Sequence, residues 1–364
     1  VNNYDLDIDI SVFLQFAAVA TAADVVPLIE ENRLVLHLGL KEINKSPIPP
    51  FNKILEYSNY GNEITTSDLV FKVAPRINAA GRLAHAIKAT KFLMAEKEEL
   101  NKFFNEINEL NIERRNMDEW ITKEALHQLS LQDNNRFTNV VFSSKWHKGV
   151  VGIVASRIIE KYYKPTIVLT GEGGLITGSV RSVKGFDIYV VLEKLQHYFV
   201  RFGGHKYAAG LTLKKEDLME FARDFEEEVE SRVEKDHLQP CISIEGKLVL
   251  EDLKKDKLDD PLPKIYRIIK QMSPFGPSNS RPVFEFENLV ARNPPRIVGE
   301  NHIKFEFTDS NEQLKLDGIW FNSVDRYEKL KKQKVFNVAA TLNENNFRGN
   351  TSLQIIIKDV IHLS

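Results

Sequence analysis

The hydrophobic pattern of this chain changes character along its length, and each change predicts a different kind of element. Residues 11–22, SVFLQFAAVATA, are apolar on nearly every face and read as a buried helix or helix-to-loop element. Residues 30–45, EENRLVLHLGLKEINK, have the spacing of an amphipathic helix, which the Pro47, Pro49 and Pro50 cluster stops. Residues 69–83, LVFKVAPRINAAGRL, start like a strand and run into a turn of small residues. From Ala84 to about Gln132 the pattern is long, charged and helical, with Ile107, Leu110, Ile112 and Met117 on a sparse apolar stripe. We expect a connector helix between domains there.

From about Asn135 short apolar runs alternate with helical ones. Val140, Val141 and Phe142, then PTIVLT, then LITGSVRS read as strands. WHKGVVGIVASRIIEKYY reads as a turn followed by a helix that begins near Val150, and Asp187 is placed to N-cap the helix IYVVLEKLQHYFV. The alternation predicts an α/β domain. From about His237 the pattern becomes period-two runs with turn signals, among them PVFEFENLVARN, HIKFEFTDS and KVFNVAATLNEN. These predict a small all-β barrel of OB-fold type. The expected divisions are 1–83, 84–134, 135–236 and 237–364.

Composition changes this picture little. The 364 residues are 43% hydrophobic and 27% charged, ordinary for a globular chain of two or three domains. No apolar run is long enough to span a membrane, so no membrane partner is expected. The single cysteine, Cys241, excludes an internal disulfide framework and fits a reducing, cytoplasmic location. Net charge is −2, but its distribution is uneven: between residues 140 and 210 ten Lys and Arg face four Asp and Glu, and Lys214 to Asp236 carries ten acids against five bases. Attraction for phosphate is therefore concentrated in the α/β segment.

That segment also holds the richest candidate chemistry. Ser179, Arg181 and Ser182 supply hydroxyls and a forked guanidinium, a donor set suited to phosphate oxygens. Gly203, Gly204 and His205 supply close backbone approach and an imidazole. Both sets read as turns flanking one helix, and together they suggest a nucleotide-phosphate pocket. Taken singly, the glycines also suit an ordinary turn and His205 a capping bond. His147 precedes a helix N-terminus, whose amides attract anions, or is simply an exposed turn residue. Arg76, Asn78 and Arg82 offer donors to a nucleic-acid backbone, or are surface residues of a helix start. Asp24 is either an oxygen ligand for a hard cation or a plain turn aspartate. Asp5, Asp7 and Asp9 form an acidic triplet, better read as a solvated loop or an edge strand. Phe305, Phe307, Trp320 and Phe321 are candidates for base stacking, although most aromatics at alternating strand positions are core.

In chain order, ADVVPL, PRINAAGRL, WHKGVVGIVASR, GSVRS, RFGGHKYAAGLTL and PFGPSNSRPVF resemble the RecJ-type single-strand-specific 5′→3′ exonucleases, a branch of the DHH phosphoesterase family. The resemblance covers nearly all of the chain. It implies the C-terminal part of a DHH catalytic domain over 1–83, a connector helix, a DHH-associated substrate-binding domain and a nucleic-acid-binding OB-fold. It implies Mn²⁺ or Mg²⁺, with Asp24 as a catalytic metal ligand, and Arg76, Asn78, Arg82, His147, Ser179, Arg181, Ser182 and the Gly203–His205 segment as substrate-binding residues. The implied substrate is single-stranded DNA with a 5′ phosphate, and the implied partners are a helicase and a single-strand-binding protein. The family's Asp-x-Asp pair and Asp-His-His triplet are absent, and the chain starts at Val1. We therefore expect the C-terminal two-thirds of such an exonuclease, inactive alone. The competing expectation is a non-catalytic single-strand-binding module or an inactive DHH relative.

Overall fold

The computed structural model describes residues 11–59, 63–133, 135–171, 173–256, 262–309, 314–347 and 350–361. Asp5, Asp7 and Asp9 lie outside them. The chain divides into two compact units. One comprises residues 1–46, 63–66 and 241–364; the other comprises 47–62 and 67–240.

In the first unit, α1 (Ser11–Ala23) packs on α2 (Glu30–Lys45). The amphipathic spacing of α2 buries Leu36, Gly39 and Ile43, and Glu30 and Glu31 favour its positive N-terminal end. The buried helix expected at 11–22 is only half so: α1 buries Gln15, Ala18, Val19 and Ala22, while Phe13 is 61% exposed.

In the second unit, α3 (Pro49–Tyr57) starts within the very proline cluster that ends α2. Proline suits a first helical turn, whose N–H groups have no helical acceptor. A single turn, α4 (Thr66–Asp68), which begins at the last residue of the first unit's 63–66 segment, a π-helical turn over Leu69–Val73 and α5 (Ala74–Leu83) then follow. The strand-and-turn reading of 69–83 is therefore overturned. A strand would put Leu69, Phe71 and Val73 on one face, but Leu69 and Val73 are fully buried and Phe71 is 75% exposed, which is helical spacing. The long helical stretch is two helices, α6 (Ile87–Leu93) and α7 (Lys97–Ser130), interrupted at Met94 to Glu96. α7 packs along α3, α5 and α6 through Phe104, Ile107 and Asn108, and on to α8 (Val151–Tyr162) through Ile121, Ala125 and Leu129. Ile112, expected on its apolar stripe, is exposed.

The unit's sheet comprises β1 (Asn139–Phe142), β2 (Thr166–Thr170), β3 (Leu175–Arg181), β4 (Phe199–His205) and β5 (Ala208–Lys214), in the order β1-β2-β3-β5-β4. β1 and β2 are parallel and the other pairs antiparallel. One face is covered by α9 (Ile188–Lys194) and α10 (Leu218–Glu230), through Ile188, Val191, Leu192, Phe221, Phe225 and Val229. α8 packs on β2 and β3 and, with α7, buries Val141 and Val168 of the opposite face. Asp187 caps α9, its side chain accepting from the Tyr189 amide at 3.1 Å. α9 ends earlier than expected, because Phe199 and Phe202 join the aromatic core around Phe221 as part of β4.

The rest of the first unit contains β6 (Gly246–Leu248), α11 (Lys264–Gln271), β7 (Phe284–Ala291), β8 (Arg296–Val298), β9 (His302–Thr308), β10 (Lys315–Trp320), a short α12 (Tyr327–Leu330), β11 (Val335–Phe347) and β12 (Asn350–Ile361). Pairing runs β7-β11-β12-β10-β9 and closes by a β7–β9 contact, so five strands make a barrel with β6 and β8 appended. The β10–β12 pair of the barrel and the appended β6–β7 pair are parallel and the other pairs antiparallel, so the chain is the expected mixed α/β one ending in an OB-type barrel. Phe305, Phe307 and Trp320 fill its core, so of the aromatics considered for stacking only Phe321 is exposed, at 46%. α11 was not anticipated; it buries Tyr266 and Ile269 against the barrel core.

Candidate nucleic-acid interface

The Ser-x-Arg and Gly-Gly-His sets do not sit on turns. They lie on β3 and β4, with β5 between them. Register places Ser179, Gly210 and Gly203 in one cross-strand row and Arg181, Ala208 and His205 in the next. Alternation makes this a common face: Ile176, Val180, Ala209 and Leu211 point into the core, so Ser179, Arg181, Ala208 and Gly210 point away from it. α9, which links the two sets in sequence, covers the opposite face. The result is an open strip rather than a pocket, because Gly203, Gly204, His205 and Gly210 are all exposed.

The middle of the strip has almost no side chains. A Cβ built on Gly203 meets no atom within 4 Å, so the protein's own packing does not require glycine there. Gly204 differs: its φ is +156°, and a Cβ would lie 2.4 Å from the Ala208 carbonyl oxygen and the Ala209 Cα. The fold demands glycine at 204, whereas at 203 only an external ligand would. Gly210 and Ala208 complete this floor and were missed from sequence; the AAG run after GGHKY, alternating small residues outward, was the available signal.

Arg181 borders the strip and is held rather than mobile. It donates from Nη1 to Ser179 Oγ (3.0 Å) and the Val180 carbonyl (2.8 Å), and from Nε to Ser156 Oγ (3.3 Å) on α8. These partners are neutral, and no ion pair to Arg181 is found among the described residues. Burial, and then the nearby Arg82 cation, push its guanidinium below the ordinary arginine value. A half-buried, uncompensated guanidinium beside a hydroxyl is chemistry that an anion satisfies. Gly152 of α8 allows the approach: a Cβ there would stand 3.1 Å from Ser179 Oγ and 3.3 Å from Arg181 Nη2.

Arg82, exposed at the end of α5, donates to the Gly149 carbonyl at 3.4 Å, just before α8. His147 there accepts from the Gly149 amide at 3.1 Å, and the first turn of α8 has no side-chain cap; the Ile153 amide turns to the Val150 carbonyl, which leaves those of Val151 and Gly152 to an anion. The structure thus gathers Arg82, His147, Ser179 and Arg181 around α8. It extends them with Arg114 and Arg157, which share the buried Asp118 (Arg157 Nη2 at 2.7 Å, Arg114 Nη1 at 3.8 Å). Burial lowers Arg114, Asp118 opposes this, and Arg115, Arg82 and Arg157 lower it further, so one carboxylate serves a larger group of cations.

Other expected site residues stand apart from this group. Arg76 is bound within its own helical layer, donating from Nε to Asn108 (3.0 Å) and from Nη1 to the Lys72 carbonyl (2.6 Å), with its guanidinium over Tyr57. Burial pushes its guanidinium down, Tyr57 opposing and Arg115 adding to this. Asn78 is exposed on α5. Ser182 donates to the Phe186 carbonyl at 2.9 Å and its amide donates to the Tyr207 carbonyl, so its hydroxyl serves the loop. Asp24 is exposed at the end of α1, and among the described residues no three His, Cys, Asp or Glu side chains form a metal-binding group. The described residues do not by themselves fit a two-ion centre. Among them, no helix is long and apolar enough to cross a membrane.

Comparison with known proteins agrees with these features. The DHHA1 domain model matches residues 134–231 and the RecJ OB domain model residues 255–359. The single-stranded-DNA-specific exonuclease RecJ of Bacillus subtilis is 31% identical over 350 residues, covering 95% of this chain and 43% of the relative. That of Escherichia coli K12 is 31% identical over 359 residues, covering 95% and 60%. This chain therefore spans about two-fifths to three-fifths of their lengths. The crystal structure of RecJ from Thermus thermophilus in complex with Mn²⁺ superposes with a TM-score of 0.80 at 26% identity, over 97% of this chain and 50% of that one. With two domain models matched in order, and relatives and a fold shared along nearly its whole length, the chain matches the C-terminal portion of RecJ.

Proposed function

We propose that this chain carries the single-strand-binding surface of a metal-dependent 5′→3′ exonuclease acting on single-stranded DNA in repair and recombination. One observation carries the reading: Arg181, half-buried with no ion pair among the described residues, borders a strip whose middle is Gly203 and Gly210. In this reading Arg181 and Ser179 hold the 5′-terminal phosphate, and the Gly203–Gly210 floor lets the sugar-phosphate backbone lie close to the sheet. Arg82, His147 and the α8 amides add attraction at the same end. Arg76 and Asn78 of α5 are further proposed contacts to a nucleic-acid backbone, and the OB barrel is proposed as a single-strand-binding domain in its own right. Mn²⁺ or Mg²⁺, as in the Thermus structures, is the proposed cofactor; when bound, such ions activate water and stabilise the leaving oxygen. Asp24 is the oxygen ligand this chain offers. A helicase and a single-strand-binding protein are the proposed partners, and cytoplasm the proposed location. Binding without cleavage is the second reading, favoured by the absence of a metal-binding group among the described residues.

The test measures affinity for 5′-phosphorylated and 5′-hydroxyl oligodeoxythymidylate by fluorescence anisotropy. The phosphorylated strand binds more tightly, and Arg181→Ala removes about tenfold of that preference, the loss of a charge-assisted hydrogen bond of about 1.5 kcal/mol. Equal affinity for both ends, unchanged by Arg181→Ala, sinks the assignment of the terminal phosphate.

A further inference from the structure

The face that carries Arg181 continues beyond it. β4 pairs Arg201 with Thr212 of β5, and β5 pairs Thr212 with Thr177 of β3. An Arg–Thr–Thr row therefore runs parallel to the His205–Ala208–Arg181 row, with the Gly203–Gly210–Ser179 row between them. Four residues along each strand separate the outer rows, about 13 Å at about 3.3 Å per residue. Thr212 Oγ1 approaches Thr177 Oγ1 at 3.4 Å, and Thr177 Oγ1 donates to the Leu211 carbonyl at 3.1 Å, so both hydroxyls are ordered at the sheet surface. Phe202 beside them turns into the core, which fixes Arg201 on the outward face. Arg201 is exposed, and no ion pair to it is found among the described residues. Two cationic rows thus bracket a smooth floor whose glycine at 203 answers to no contact inside the protein.

We propose that Arg201, with the Thr212 hydroxyl turned from its long bond to Thr177, is a second phosphodiester contact, gripping the backbone of a single strand farther from its end than the phosphate at Arg181. It rests on the reading of the strip as a single-strand surface and adds a direction: the strand runs along β3 and β4, from the His205–Arg181 row toward the Arg201–Thr177 row. An extended single strand reaches both rows, whereas a dinucleotide reaches only the first.

The experiment uses the full 364-residue chain, with a 5′-phosphorylated thymidine dinucleotide and octanucleotide, over a series of salt concentrations. Arg201→Gln weakens octanucleotide binding about fivefold and lowers the slope of log affinity against log salt by about 0.7, one single-strand phosphate contact. It leaves the dinucleotide unchanged. Arg181→Gln weakens both ligands. If Arg181→Gln acts and Arg201→Gln changes neither affinity nor slope, the second contact is wrong while the terminal-phosphate reading stands, and Arg201 merely guards an edge strand. If Arg201→Gln weakens the dinucleotide as much as the octanucleotide, the assigned position is overturned. If neither variant acts, or the unaltered chain binds neither ligand, both readings fall.

Discussion

Gly203 and Gly204 are neighbours with opposite physical reasons for being glycine. Ala at 204 collides with backbone atoms of β5 and should cost about 2 kcal/mol of stability, as overpacking does. Ala at 203 enters open space and should leave stability within about 0.5 kcal/mol. It should nonetheless weaken single-strand binding, because the methyl occupies the floor on which the backbone lies. Denaturant melts together with anisotropy separate the two effects, and a Gly203→Ala protein with unimpaired binding would contradict the strip. Asp118 is the complementary case, a residue no motif pointed to. It is fully buried on α7 between Arg157 and Arg114, and Thr122 donates to it at 3.4 Å. Asp118→Ala strands two cations and should destabilise the protein by about 3 kcal/mol, read from the shift in denaturation midpoint. A loss below about 1 kcal/mol would show that solvent already screens the pair.

At the scale of elements, β4 has one face on the strip and one on the aromatic core, so its attachments bear on the site. Just before it, Tyr198 donates to Asp224 of α10 at 2.6 Å. That hydrogen bond, then burial, then the carboxylate charge push the Tyr198 phenol up to about 12. The same bond holds the Asp224 carboxyl below its ordinary value, burial opposing and Arg223 adding to the effect. The signs follow from linkage. The raised phenol stabilises the fold below its unfolded value of about 10, and the contribution is lost as pH rises toward 12. The depressed carboxyl stabilises it above the ordinary carboxylate range, and that contribution is lost as pH falls through its folded value. Melting temperatures of Tyr198→Phe and the unaltered protein should therefore differ at neutral pH and converge in strong alkali. A constant difference would remove the hydrogen bond as its cause. Sequence pattern located most elements here, including α2, α8 and the barrel strands. It failed where tertiary packing overrode local spacing: at 69–83, where Leu69 and Val73 are buried one helical turn apart, and at Phe199, drawn out of a helical reading by the aromatic core.

Over the whole molecule, a net charge of −2 coexists with a cationic group around α8. Binding should therefore respond strongly to salt, despite the acidic balance. With Mn²⁺ present, we expect this chain to retain single-stranded DNA on a gel without shortening it; loss of nucleotides from the 5′ end would mean that a metal centre assembles with residues beyond those described. Family and barrel were legible in the sequence alone, because ordered motifs and period-two alternation are local properties of a chain. So were the residue types proposed for the strip, Ser179, Arg181, Gly203 and His205. Their meeting was not. Ser179 and Gly203 face the same strip only because each pairs with Gly210, on a strand that lies after both in the chain and between them in the sheet. Register of that kind is set by long-range hydrogen bonds and by which side chains the core accepts, and neither is written in local periodicity.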